Sequence, residues 1–254
     1  MRVDVGYLVL QLVLRDFRSR YKQTFFGVLW LAGRPLLELG VFTLVFGTFL
    51  RVPTEGVPYP VFAFVGIVLW GFFSGGISRA TRSVTGHGDL VASTPIPAIA
   101  IPIAALASAL IDTLLSTVIL AGFYFAGGGT LTWAALWLLP IVALLSLFVI
   151  GAGLIGAALH VFYRDIGHLT DLALRGLLLL TPVAYARSIV PVSYRWLYDA
   201  NPLVSLFEGA RAALIQGKVP DLASLAYPVA VGLVSLLVGI VVFRRTAPLF
   251  AETV

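Results

Sequence analysis

Five charged side chains stand inside strongly apolar stretches of this 254-residue sequence: Arg34, Glu38, Asp112, Asp171 and Arg175. If lipid is the solvent, an Asp or Arg at a helix centre costs about 2.5 to 3.5 kcal/mol, so each needs a partner or a task. Arg34 and Glu38 are four apart, as are Asp171 and Arg175, and on a helix each couple shares a face and can pair. Asp112 has no such neighbour and must bond to another helix or to a hydroxyl. Aromatic faces offer a second chemistry. At helical spacing Phe42, Phe46 and Phe49 share one face, and Phe62, Trp70 and Phe73 share another. Such faces stack on the apolar faces of sugar rings; they equally fill helix interfaces or form belts at a membrane boundary.

Covalent and metal chemistry find little support. There is no cysteine, which excludes disulfides, thiolate metal sites and thiol nucleophiles. His87, His160 and His168 lack a metal-ligand spacing such as H-E-x-x-H, and the acids are dispersed. A membrane enzyme acting on polyprenyl-linked sugars would need acids or histidines clustered at one membrane face. No G-x-x-x-x-G-K-[ST] phosphate loop occurs, so ATP binding by that route is not expected of this chain.

The elements that must position these residues are membrane helices. Hydrophobic residues make up 59% of the chain and charged ones only 11%, against about 25% charged in a soluble domain. At about 20 residues per crossing there is room for about six spans and no sizeable extramembrane domain. We expect an all-α integral membrane protein with spans at about 27–50, 59–77, 97–125, 133–161, 169–185 and 222–243. The connections are a Pro- and Gly-rich turn at 51–58, a polar stretch at 79–93, a turn at 127–130 and a polar loop at 162–168. Residues 1–26 form a separate segment. Within it, Leu8 to Lys22 places Leu10, Val13, Leu14, Phe17 and Tyr21 on one helical face and Arg15, Arg18 and Lys22 on another, the pattern of a helix resting on a membrane surface. The early apolar run is short and lacks a small-residue cleavage site, so no cleavable signal is expected.

Between about 186 and 221 the pattern changes. Asn201 and Pro202 supply an N-cap and a first-turn proline, and the apolar stretch that follows stops at Gly217. The segment is too short and polar for a crossing. It reads as a re-entrant or interfacial helical pair before the last span, with an ordinary surface helix as the alternative. On this map Arg2, Arg15, Arg18, Arg20, Lys22, Arg79, Arg82, Arg164, Arg244 and Arg245 lie on the side of the termini. Only Arg51, Arg187, Arg195, Arg211 and Lys218 lie opposite, so both termini are expected in the cytoplasm. The net charge of +5 follows this topology and forms no soluble basic patch, so nucleic acid is not an expected partner.

Four strings, in a set order and spacing, converge on one family: RDFRSRYKQTFFGVLWLAGRPLLELGVFTLVFG, VPYPVFAFVGIVLWGFFS, VFYRDIGHL and NPLVSLFEGARAALIQG. Together, over roughly Leu8 to Arg245, they resemble the permease subunits of ABC transporters that export polysaccharides, as in O-antigen and teichoic-acid export. The resemblance implies a six-span subunit of the bacterial inner membrane that pairs with a copy of itself and with two copies of a separate ATPase. ATP would then be bound and hydrolysed on that partner, with no cofactor on this chain, and a lipid-linked glycan would pass between the permeases. It further implies contact with the ATPase through Arg15, Arg18 and Lys22, through Arg79 and Arg82, and through Tyr163, Arg164 and Asp165. Phe42, Phe46, Phe49, Phe62, Trp70 and Phe73 become candidates for the glycan path, and Arg34 for admitting the phosphate of the lipid carrier. The run ASTPIPAIAIP at 92–102 departs from the family, which commonly carries basic and aromatic residues there. A related permease exporting a drug or small lipid is the alternative.

Overall fold

The computed structural model of the protein describes residues 5–21, 30–54, 56–93 and 96–253, and among these it contains helices and no strands. The first helix, α1, spans Val5–Tyr21. Helix α2 spans Trp30–Phe42 and continues without a break into a wider π-helical segment, Thr43–Phe49. The wider winding persists at its end, where the Leu50 amide donates to the Val45 carbonyl at 2.9 Å, five residues back. Together the two pieces reach somewhat under 30 Å, about the apolar thickness of a bilayer.

Proline and glycine set the boundaries that follow. Pro58 caps α3, Tyr59–Ser83, with Pro60 in its first turn, where a missing N–H costs nothing. A single 3-10 turn, Thr85–His87, leads to the short α4, Gly88–Ser93. Helix α5, Ala100–Ala126, ends at Gly127 and at Gly128, whose φ of 80° is readily adopted only by glycine. A 3-10 turn, Trp133–Trp137, runs into α6, Leu138–Phe162, and α7 follows at Ile166–Leu179. After two further 3-10 turns come α8, Arg195–Asp199, and α9, Pro202–Leu214. The Asn201 side chain caps α9 by accepting from the Leu203 amide at 3.0 Å. Asp221 does the same for α10, Leu222–Thr246, and a last turn carries the chain into α11, Phe250–Thr253.

Among the described residues four helices are long and apolar enough to cross a membrane: Tyr59–Ser83, Ala100–Ala126, Trp133–Phe162 and Leu222–Leu249. The protein is therefore an all-helical, multi-pass membrane protein. The expected first span is the composite of α2 and its π-helical end, with residues 27–29 outside the described part. The expected fifth span is only 14 residues of helix, after which the backbone turns away from Leu180. The second span is longer than expected: it runs on through Arg79 and Arg82 to Ser83, so those arginines are helical residues and not loop charges.

Helix α3 is the centre. Every residue from Val61 to Trp70 is buried, the signature of a helix surrounded by other helices. α5 packs antiparallel to it, with Phe64 against Phe123 at one end and Arg79 against Asp112 at the other. α6 packs parallel to α3: Gly76 faces Val149 and Gly153 faces Ala80. α10 packs parallel to α6, with Gly232 against Phe148 and Gly239 against Gly151, where a Cβ on Gly239 would lie 2.5 Å from the Gly151 carbonyl oxygen. Because α6 and α10 run the same way, the chain between Phe162 and Leu222 must travel back along the bundle. α7 and its continuation do this, antiparallel to α3, from the neighbourhood of Arg82 to that of Gly66. A Cβ on Gly66 would sit 2.9 Å from the Val183 Cα, so only glycine admits this approach.

At the end where α3, α6 and α10 begin, α9 is wedged among them. Leu203, Leu206, Phe207, Ala210 and Ala213 are buried, which rules out the surface-helix alternative. At the opposite end α1 lies on α5, burying Leu12 and Val13 against Ile101 and Ala104. Of the apolar face read from the sequence, Val13 is used in this contact, while Leu10 and Leu14 are exposed, as are Arg15 and Arg18. Lys22 lies outside the described residues.

Candidate functional site: a charged cleft beside the central helix

Between α2, α3, α5 and α7 lies a cavity of about 680 Å3. Its wall brings together the charged residues that the sequence scatters over more than a hundred positions: Arg34 and Glu38 from α2, Arg79 from α3, Asp112 from α5, Asp171 and Arg175 from α7. Trp30, Trp70, Ser74, Ser78, Thr113 and Ser116 are also part of its lining. Charged side chains of this kind at membrane depth are tolerated where they face a cavity that water can enter, and not where they face lipid.

The charges are arranged as three pairs and a remainder. Arg34 and Glu38 pair along α2 at 3.5 Å as the spacing predicts, both well exposed. Asp112 finds its partner on another helix, accepting from Arg79 Nη1 at 2.6 Å, with only about a quarter of each side chain exposed. Asp171 does not pair with Arg175. It accepts from Arg82 Nη2 at 2.5 Å and from the Ser78 hydroxyl at 3.0 Å, while Arg82 also donates to the Gly167 carbonyl at 2.8 Å. The reason is the length of α3: its last turns cross α7 at Gly167 and Asp171 and deliver a guanidinium that satisfies carboxylate, hydroxyl and carbonyl together. Arg175 is left lining the cleft with no ion pair among the described residues. Three arginines thus face three carboxylates on the cleft wall, and Arg175 is the arginine there that closes no ion pair among the described residues.

Arg79 and Ser78 have a cavity on either side. The second, about 300 Å3, lies beneath α1 and is bounded by Leu12, Asp16, Arg82, His87 and Ile101. The two interhelical ion pairs form the partition between the cleft and this pocket.

The aromatic residues expected along a path divide sharply. Trp70 borders the cleft but is 8% exposed, its ring tilted 43° to that of Phe73 with centroids 5.5 Å apart. Phe73 is likewise buried, and Phe42 and Phe46, which meet each other edge to face at 5.7 Å, both pack against the core. Phe49 is 69% exposed, beyond the cleft lining. Phe62 is withdrawn altogether: it is 2% exposed and the Arg211 guanidinium lies 3.9 Å above its ring. Trp30, which the sequence did not single out, stands in the cleft instead, 45% exposed.

Arg211 is the second residue that sequence reasoning missed, having been counted among charges on the outer side. Its side chain is 4% exposed and donates to the carbonyls of Pro182 and Val183, the latter at 2.8 Å, and to Glu208 at 3.3 Å. It fastens the backbone where the chain leaves α7, and Tyr59 adds a hydrogen bond to the Ala184 carbonyl at 2.8 Å. The available signal was Glu208 three residues before Arg211 in an otherwise apolar helix. At the far end, Tyr163, Arg164 and Asp165 form the exposed turn between α6 and α7. Among the described residues no group of His, Asp and Glu is arranged to hold a metal ion.

Comparison with known proteins places this architecture. The chain is 31% identical to the O-antigen export system permease protein RfbA of Myxococcus xanthus, over 97% of this chain and 95% of that protein. It is 26% identical to the O-antigen export system permease protein RfbA of Klebsiella pneumoniae, over 99% and 98%. It is also 26% identical to the polysialic acid transport protein KpsM of Escherichia coli, over 92% and 91%. The family model for ABC-2 type transporters matches residues 7–215, from α1 through α9, and the chain belongs to the ABC-2 type transporter family.

Proposed function

We propose that this chain is the membrane subunit of an ATP-driven exporter that moves a lipid-linked polysaccharide across the bacterial inner membrane. The observation that carries this reading is the charged, tryptophan-bearing cleft beside α3 in a chain whose near-full-length relatives are named as permeases for O-antigen and transport proteins for polysialic acid. Two copies would face each other across their clefts, each resting on one copy of an ATPase that binds the nucleotide. Six crossings are supported by six successive traverses of the bundle, two of them the shorter α2 and α7. The excess of Lys and Arg on the side of α1 and the turn at 163–165 supports cytoplasmic termini.

In this scheme Arg34 and Arg175 meet the phosphate of the lipid carrier, and Trp30, the exposed tryptophan of the cleft, gives sugar rings a flat apolar surface that does not depend on one hydroxyl pattern. Arg15 and Arg18 on α1 hold anionic headgroups or the ATPase, and Tyr163, Arg164 and Asp165 receive its stroke. Arg79 and Arg82 act differently from a docking loop, as ties between helices. Purification from the native membrane in mild detergent tests the assembly: a two-plus-two complex that hydrolyses ATP is expected. Isolation without any ATPase, under conditions that preserve a known transporter of this type, would refute it. Arg175→Ala should then reduce glycan appearance at the cell surface while the complex still assembles; unchanged export removes Arg175 from the path.

A further inference from the structure

The end of the bundle bearing α1 has its own apolar cluster, separate from the core around α3, and the C-terminal segment supplies its centre. Phe250 is fully buried although it lies in the last short helix of the chain. Its ring meets Phe243 of α10 edge to face at 5.3 Å and Phe162, the last residue of α6, at 6.2 Å. Around it gather Val84 from the end of α3, Val91 from α4, and Ala98 and Ile99 from the start of α5. A tail that merely trailed from a span would not bury its aromatic completely.

The two segments that this ring holds together lie at the end of the bundle that carries the 163–165 turn, which receives the ATPase stroke in the proposed assembly. On one side is the 84–93 stretch with α4. On the other is Phe162, immediately before the exposed turn of Tyr163, Arg164 and Asp165. Neither has a long apolar face of its own: α4 is six residues, and the turn is polar. A force applied to residues 163–165 would bend that turn locally unless something stiff joined it to its neighbours. Packed interiors transmit displacement because they have few voids to absorb it.

We propose that Phe250 is a positioning residue that clamps α4 and the end of α6 into one body, so that movement of the 163–165 turn is shared with the 84–93 segment. The clamp is a property of the fold; its use in coupling rests on the function proposed above. The test is the series Phe250→Leu, Phe250→Val and Phe250→Ala in the full complex with its ATPase, read two ways. Amide hydrogen exchange should accelerate together in peptides covering 84–93 and 160–166, in graded order, with α9 unchanged and Leu close to the native protein. Export per ATP hydrolysed should fall several-fold in the same order, with assembly retained. Should the alanine variant fail to accumulate, the valine variant decides. Exchange that accelerates only in 247–253 overturns the clamp whatever the transport result. Joint acceleration with normal coupling overturns its role in transmission, and a native chain that binds no ATPase refutes the functional reading alone.

Discussion

Replacing Asp112 with alanine should destabilise the protein by about 2 kcal/mol, and removing Arg79 as well should recover most of the loss. Opposite unit charges about 4 Å apart attract by about 4 kcal/mol at an effective dielectric of 20. The pair is only partly buried: 28% and 24% of the two side chains remain exposed, on the wall of the cleft. Its value should therefore fall between the roughly 0–1 kcal/mol of surface pairs and the roughly 3–5 kcal/mol lost on breaking buried ones. Most of the cost in Asp112→Ala comes from the guanidinium left within a span, so Arg79→Met combined with Asp112→Leu, which leaves no charge to solvate, should be much milder than the sum of the single changes. The assay is the thermal midpoint in mild detergent for the native chain, both single variants and the double. At about 2–4 °C per kcal/mol for a chain of this size, each charge-orphaning variant should lose about 4–8 °C. Additivity of the single effects to within about 0.5 kcal/mol would mean that the residues do not stabilise each other, and the partition between cleft and α1 pocket would lose its physical basis.

Two further outcomes follow from the packing. Arg211→Lys keeps the charge but cannot reach the Pro182 and Val183 carbonyls, Glu208 and the Phe62 face at once; we expect a loss of about 3 kcal/mol, seen as proteolysis within 180–200 under conditions where the native chain is intact. Gly239→Val forces α10 away from the Gly151 backbone and should lower stability by about 1–3 kcal/mol in the same thermal assay, whereas Gly71→Ala, with open space at its Cβ, should be near neutral.

The sequence made the apolar architecture readable because several helices are bounded by residues with a local mechanism: Pro58 and Pro60 for α3, Gly127 and Gly128 for α5, Asn201 for the short α9 and Asp221 for α10. What escaped it depended on partners far along the chain. Arg79 and Arg82 looked like loop charges because the carboxylates that allow them to remain helical lie 33 and 89 residues away. Asp171 and Arg175 satisfied the spacing for a pair, yet a better-placed guanidinium from α3 took the carboxylate. Phe62 had the right type and face for a sugar path, but burial beneath Arg211 depends on how α9 returns into the bundle, which no local pattern encodes. The C-terminal clamp left almost no signal beyond one phenylalanine in a short apolar tail.

The contacts on the two sides of α3 differ in what happens when they separate. Toward α6 and α10, backbones meet at glycines, and any gap there would be a dry void that neither lipid nor water can fill. Toward α5 and α7, separation breaks the Arg79–Asp112 and Arg82–Asp171 pairs and the Ser78 contact, groups that are about a quarter or more exposed and can be traded for water one bond at a time. The molecule is thus stiff along one flank and yielding along the other. A load applied at its base would part the polar side first, which gives the cleft a direction of opening built into the packing.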